Sequence, residues 1–182
     1  MCERHYTLSP SFVIPAIALP IASLVFAMLR SDLLSINAVH VMAGALWMGI
    51  DLFMGIALGP SLGAVDPGAR AAIFKLLTPK MTFFMPVLAA VAATGGVNLA
   101  MKMGLLSLGD PRIVISLAIV TILTVQGFGI ILPSEIRILK ELLSDSPDRD
   151  KIVRLGMRNA RLGGVQGLLQ LAIIIVMAVL RF

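Results

Sequence analysis

The sequence predicts an all-α fold: a polytopic integral membrane bundle of five transmembrane helices, organised as one domain. Three observations predict it. Of 182 residues, 58% are hydrophobic and only 14% charged, and mean hydropathy is +0.98, whereas soluble domains rarely exceed half apolar. The apolar residues gather into runs long enough for a hydrocarbon core about 30 Å thick. One Trp, one Tyr and eight Phe are too few for the aromatic girdles of a β-barrel, and no short alternating strands are present.

The spans follow in order at about 12–29, 33–58, 79–101, 113–132 and 162–180. The first exceeds a usual signal-peptide apolar region and is interrupted by Pro15 and Pro20, so it is expected to be retained and to kink at Pro20. Between the second and third spans, DPGARAAIFKLLT predicts a separate interfacial helix over about 67–77, opened by Asp66-Pro67, with Arg70 and Lys75 on headgroups. Residues 134–161 are expected to extend the fourth and fifth helices beyond the membrane. A turn is expected at Ser144 to Pro147, with Glu141 pairing with Arg137 one turn back. No linker, low-complexity tract or internal repeat divides the chain.

Orientation follows from the basic residues. The N-terminus and the loops after the second and fourth spans hold eleven of them; the other side holds four, Arg30, Lys102, Arg112 and Arg181. The positive-inside rule then places the N-terminus in the cytoplasm and the C-terminus outside, in a plasma-membrane protein. The net charge of +5 is loop-borne and does not point to nucleic acid. A single cysteine, Cys2, excludes an internal disulfide and a multi-thiolate metal site. The eleven methionines are scattered and read as gap-filling apolar residues.

Ionisable residues inside apolar spans mark functional sites. In the second span His40, Gly44, Trp47 and Asp51 share one stripe of a 3.6-residue helix, which must face protein, cofactor or water. In the fifth, Asn159, Gly163, Gln166 and Gln170 repeat the same offsets. Both stripes are expected to face the bundle interior. Thr94 and Asn98 should lie near the level of His40, and Gln126 and Glu135 toward that of Asp51. Asp51 is expected to pair with Arg161, Lys80 or Gln166, making Asp51, Asn98, Gln126, Arg161, Gln166 and Gln170 a polar interior that tunes a site or carries protons or ions. Glu135 is expected to be solvated or paired with Arg137 or Arg161.

Small residues mark close helix approach: Gly55 and Gly59, Gly163 and Gly167, and Gly95-Gly96 after an alanine-rich run. The last could also leave room for a flat macrocycle. His40 has two readings, a structural residue bonding a carbonyl on a neighbouring helix, or an axial haem or metal ligand. With no second His in the membrane, a bis-His haem within one chain is unavailable; His5 lies too far away. Trp47 reads as a packing residue or as part of a cofactor pocket, and Asp51 as a proton acceptor or half of an ion pair.

The segment NAVHVMAGALWMGIDLFMG carries His-x6-Trp-x-Gly, and LLTPKM opens the next span with Thr-Pro-x-Met. This pattern, over roughly residues 36–100, resembles the membrane clan of CopD-like copper-resistance proteins and HemJ-type protoporphyrinogen oxidases. RNARLGGVQGLLQL resembles the closing helix of that clan. The HemJ likeness implies haem b held through His40 and porphyrinogen oxidation; the CopD likeness implies copper handling. The chain differs from the HemJ type in its extra span before the His and in having no His in its fourth span.

The expected function is therefore a haem- or metal-binding membrane protein with a redox role, electron transfer or porphyrin-type oxidation. His40 is the ligand, with Gly44 and Trp47 beside the cofactor. Any enzymatic activity would be that of an oxidoreductase. The alternatives are a CopD-type metal-ion or proton transporter and an accessory subunit of a homodimer or larger membrane complex. No nucleotide loop, GxSxG or HExxH is present.

Overall fold

The computed structural model describes residues 10–181, with side chains as far as Val179. Cys2, Arg4 and His5 lie outside the described residues. Five helices are long and apolar enough to cross a membrane: α1 (Pro10–Arg30), α2 (Leu33–Gly63), α3 (Pro67–Lys102), α4 (Pro111–Leu142) and α5 (Arg149–Arg181). They run up and down, so one end of the bundle carries Ser31 and residues 103–110, and the other carries Asp66 and residues 143–148.

Aspartates start four of the helices. Asp32, Asp66, Asp110 and Asp148 accept backbone N–H groups of Ser35, Ala69, Arg112 and Lys151 at 2.8–3.0 Å, satisfying donors that a first turn leaves free. Pro67 and Pro111 follow two of these caps, where a missing N–H costs nothing. The Ser35 backbone and hydroxyl bonds, with Arg30, hold the Asp32 carboxyl down at about 2. Arg112 likewise lowers Asp110.

α3 corrects one expectation. The separate interfacial helix over 67–77 is absent as such; Pro67–Lys102 is one helix of 36 residues running through Pro79 and Pro86. A proline inside a helix removes one backbone bond and crowds the preceding turn. Here Thr78, Pro79 and Thr82 are all buried against neighbouring helices, and that packing holds the helix together. α4 and α5 do extend past their apolar runs and reverse through 143–148. There Glu141 takes Lys151 as its ion-pair partner rather than Arg137.

Two helices contain π-helical stretches, Phe53–Leu58 in α2 and Val125–Ile131 in α4. The first holds the tightest contact in the bundle: a Cβ on Gly55 would lie 2.2 Å from Gly164 Cα, and one on Gly59 3.7 Å from Ala160 Cβ. α2 and α5 therefore meet backbone to backbone, as their small residues suggested.

The outside is apolar, with Leu29, Leu34 and Leu108 among the exposed side chains, while Asp51, Gln126, Asn159, Gln166 and Gln170 are buried. Such an inverted distribution suits a lipid surround. Two apolar clusters brace the interior. Ala43, Leu88, Val91 and Ala92 join α2 to α3 at mid-bundle. Leu62, Phe74, Ile138 and Ile152 close the Asp66 end.

Candidate functional site: two chambers in one bundle

The sequence-predicted residues divide between two cavities. The first, a half-open pocket near the Ser31 end with Leu34, Val41 and Met103 exposed at its edge, has a volume of about 630 Å³ and lies among α2, α3, α4 and α5. Its polar lining is sparse: Asn37, His40 and Ser116, set among Leu, Ile, Val and Ala, with Met103 and Met177. The His40 ring is fixed in two ways. Nδ1 lies 2.7 Å from the Ala92 carbonyl oxygen, and because a carbonyl only accepts, Nδ1 is the donor. In the uncharged ring this leaves the Nε2 lone pair free. The ring also rests on Gly96, where a Cβ would come within 2.7 Å of Cε1 and 3.4 Å of Nε2. A Cβ on Gly95 would lie 3.2 Å from His40 Cβ. The diglycine thus makes room for the imidazole itself. The structural reading of His40, a bond to a neighbouring helix's carbonyl, is met by one nitrogen, and the other remains available to a ligand.

The second cavity, about 80 Å³, lies toward the Asp66 end, and its lining includes Trp47, Asp51, Thr78, Thr82, Glu135 and Asn159. Asp51 is 4% exposed. Its Oδ2 accepts from Gln170 Nε2 at 3.2 Å, its side chain also interacts with Trp47 one turn earlier, and its Oδ1 faces Gly163, where a Cβ would be 3.2 Å away. Glu135 Oε1 accepts from Asn159 Nδ2 at 2.7 Å, and Thr82 Oγ1 stands 3.5 Å from Oε2. Gln126 and Gln166 tie α4 to α5 reciprocally: Gln126 Nε2 donates to the Leu162 carbonyl at 2.9 Å, and Gln166 Nε2 to that of Leu123 at 3.0 Å.

Several expectations are corrected by this geometry. Arg161 does not reach the interior; it is exposed on the surface of α5, because five residues from Gln166 is about 140° around a helix. Asp51 bonds Gln170 rather than Arg161, Lys80 or Gln166. Glu135 bonds Asn159 rather than solvent, Arg137 or Arg161. The stripe on α2 does not serve one pocket: His40 lines the larger chamber and Trp47 and Asp51 the smaller. Gly44 lines neither, and a Cβ there would meet nothing within 4 Å. Asn98 also lines neither chamber, although its Oδ1 is buried without a hydrogen-bond partner.

Sequence reasoning left Glu135, Thr78 and Thr82 out of the site. The signal was an acid flanked by apolar runs in IILPSEIRIL. Among the described residues, no three His, Cys, Asp or Glu converge as a metal site. The described residues therefore offer no copper site built from several such side chains, whereas a single fixed imidazole beside a large apolar chamber fits a planar cofactor held by one protein ligand. No protein-family model matches the chain, and no curated protein or solved structure is found to match it.

Proposed function

We propose that this chain is a multi-pass membrane protein that binds a flat, largely apolar redox cofactor, of which haem b is the type, in the 630 Å³ chamber with His40 as its protein ligand. The observation that carries this reading is the His40 ring. Its Nδ1 is held by the Ala92 carbonyl and its Nε2 is left for a metal, the arrangement by which an outer hydrogen bond orients a ligating imidazole and raises its basicity. The chamber volume falls in the range of small-molecule sites, and its apolar lining suits a macrocycle. When bound, the cofactor would supply one-electron chemistry. The protein would orient it, keep water away and set its potential through burial. Met103 and Met177 line the same chamber and would be the thioethers on hand as a second protein ligand; a partner subunit or dimer mate would be the other source. The His-x6-Trp-x-Gly resemblance to the CopD and HemJ clan supports the same ligand.

Absorption spectra of detergent-purified protein, oxidised and reduced, test this. A Soret band that disappears in His40→Ala is expected. A colourless protein that also fails to bind added haemin would overturn it. A metal-ion transporter or an accessory subunit would then be the reading left.

A further inference from the structure

One arrangement occurs twice on α5. Asn159 Nδ2 donates to Glu135 Oε1, and eleven residues on, Gln170 Nε2 donates to Asp51 Oδ2. In both amides the other end is unused: Asn159 Oδ1 and Gln170 Oε1 are buried with no hydrogen-bond partner. Asn159 is only 6% exposed and Gln170 4%, so water outside the bundle does not serve them.

The donors around the two carboxyl groups are neutral, Trp47 at Asp51 and Thr78 and Thr82 at Glu135, and no cation stands among the described residues that line the cavity. The Thr82 hydroxyl already donates to the Thr78 carbonyl at 2.8 Å. The amides of Gln126 and Gln166 are engaged with backbone carbonyls. No Lys or Arg lines the smaller cavity. The basic residues nearest in sequence are exposed: Lys75 and Lys80 on α3, Arg137 and Lys140 on α4, Arg158 and Arg161 on α5. α2 has no charged residue besides Asp51, His40 being its other titratable group; α1 contributes only Arg30, which is at the far end and bonded to Asp32. A buried carboxylate without a counter-charge is strongly disfavoured, so each pair lacks one positive equivalent.

A proton or a small cation could supply it, and the spacing decides between them. The two amide partners stand about 16 Å apart along α5 at 1.5 Å per residue, whereas a hard cation needs six or more oxygens converging on one point. We infer that Glu135 and Asp51 are two proton-exchange sites, each a carboxyl–carboxamide pair that takes up one proton. In each, hydronium gives up its proton, a carboxyl O–H bond forms, water departs, and the new O–H donates to the amide oxygen that otherwise has no partner. The inference does not depend on what fills the larger chamber.

Infrared difference spectroscopy of the full chain in liposomes, between high and low pH, tests it. Two carboxylic C=O bands from buried groups are expected on acidification, one lost in Asp51→Asn and the other in Glu135→Gln. Neither should change when sodium replaces choline at constant pH. Gln170→Leu provides an independent readout: it should move the Asp51 band and leave the Glu135 band in place. Bands that survive both carboxyl substitutions, a Gln170→Leu spectrum identical to the parent, or bands abolished by sodium would overturn the assignment. The bands should persist in His40→Ala, which separates this result from the fate of the cofactor reading.

Discussion

The two chambers solve opposite problems with the same four helices. The larger holds one imidazole among apolar side chains and fixes it with a backbone carbonyl and a pair of glycines. The smaller holds two carboxyl groups and gives each an amide from α5. Ala92 serves twice: its carbonyl orients His40, and its methyl group packs in the apolar cluster at mid-bundle. One chamber is thus built to leave a lone pair free, and the other to leave acceptor oxygens free. A nitrogen lone pair in a roomy site suits a ligand with a metal, whereas oxygens in a tight site suit protons.

The comparison breaks or sharpens with substitution. The largest effect is expected from Gly55→Leu. Its added atoms meet Gly164 backbone, so α2 and α5 must part and the smaller chamber with them. Overpacking of this kind costs about 3 kcal/mol or more, read as a lowered unfolding midpoint by circular dichroism in detergent. Gln170→Ala should come next, at about 1–3 kcal/mol, because it leaves the buried Asp51 oxygen without its donor. His40→Ala should cost only about 1 kcal/mol, the net worth of one hydrogen bond, while abolishing cofactor absorbance. If it destabilises as much as Gly55→Leu, the imidazole is structural and the contrast between chambers fails. Gly96→Ala should cost about 1 kcal/mol at most, because pushing the imidazole aside gives up its bond to the Ala92 carbonyl, and it should shift the bound cofactor's absorbance maximum or potential. Smallest of all is Asp32→Ala at an exposed cap. The folded carboxyl, at about 2, lies below the ordinary aspartate value of 3.8, so the cap contributes fully above about pH 4 and is lost as pH falls through 2. A parent-minus-variant difference in melting temperature that persists below pH 2 would contradict it.

Much of this was legible in the residues. The five apolar runs became five helices, and the turn near Ser144 fell where expected. The fifth-helix stripe of Asn159, Gly163, Gln166 and Gln170 is buried as one face, because α5 has no break in its 3.6-residue period. Glu135 was legible in depth but not in the face it presents, for a physical reason. Nine residues from Gln126 is about 180° on a regular helix, which sets the two on opposite faces. The π-helical stretch Val125–Ile131 underwinds the chain between them, and both reach α5. Arg161 differs: its charge would attract it to Asp51, but its azimuth on α5 turns it to the surface.

The wide turns at Phe53–Leu58 and Val125–Ile131 act as spare length. Each stores about one residue beyond what an α-helix of that rise would use. Deleting a single amino acid inside either stretch should therefore be absorbed locally, the wide turn tightening to a regular α-helix while the downstream half keeps its rotation. Leu62, or Glu135 and Ile138, would stay on the faces they now occupy, whereas the same deletion in the unbroken α5 would turn everything downstream by about 100°.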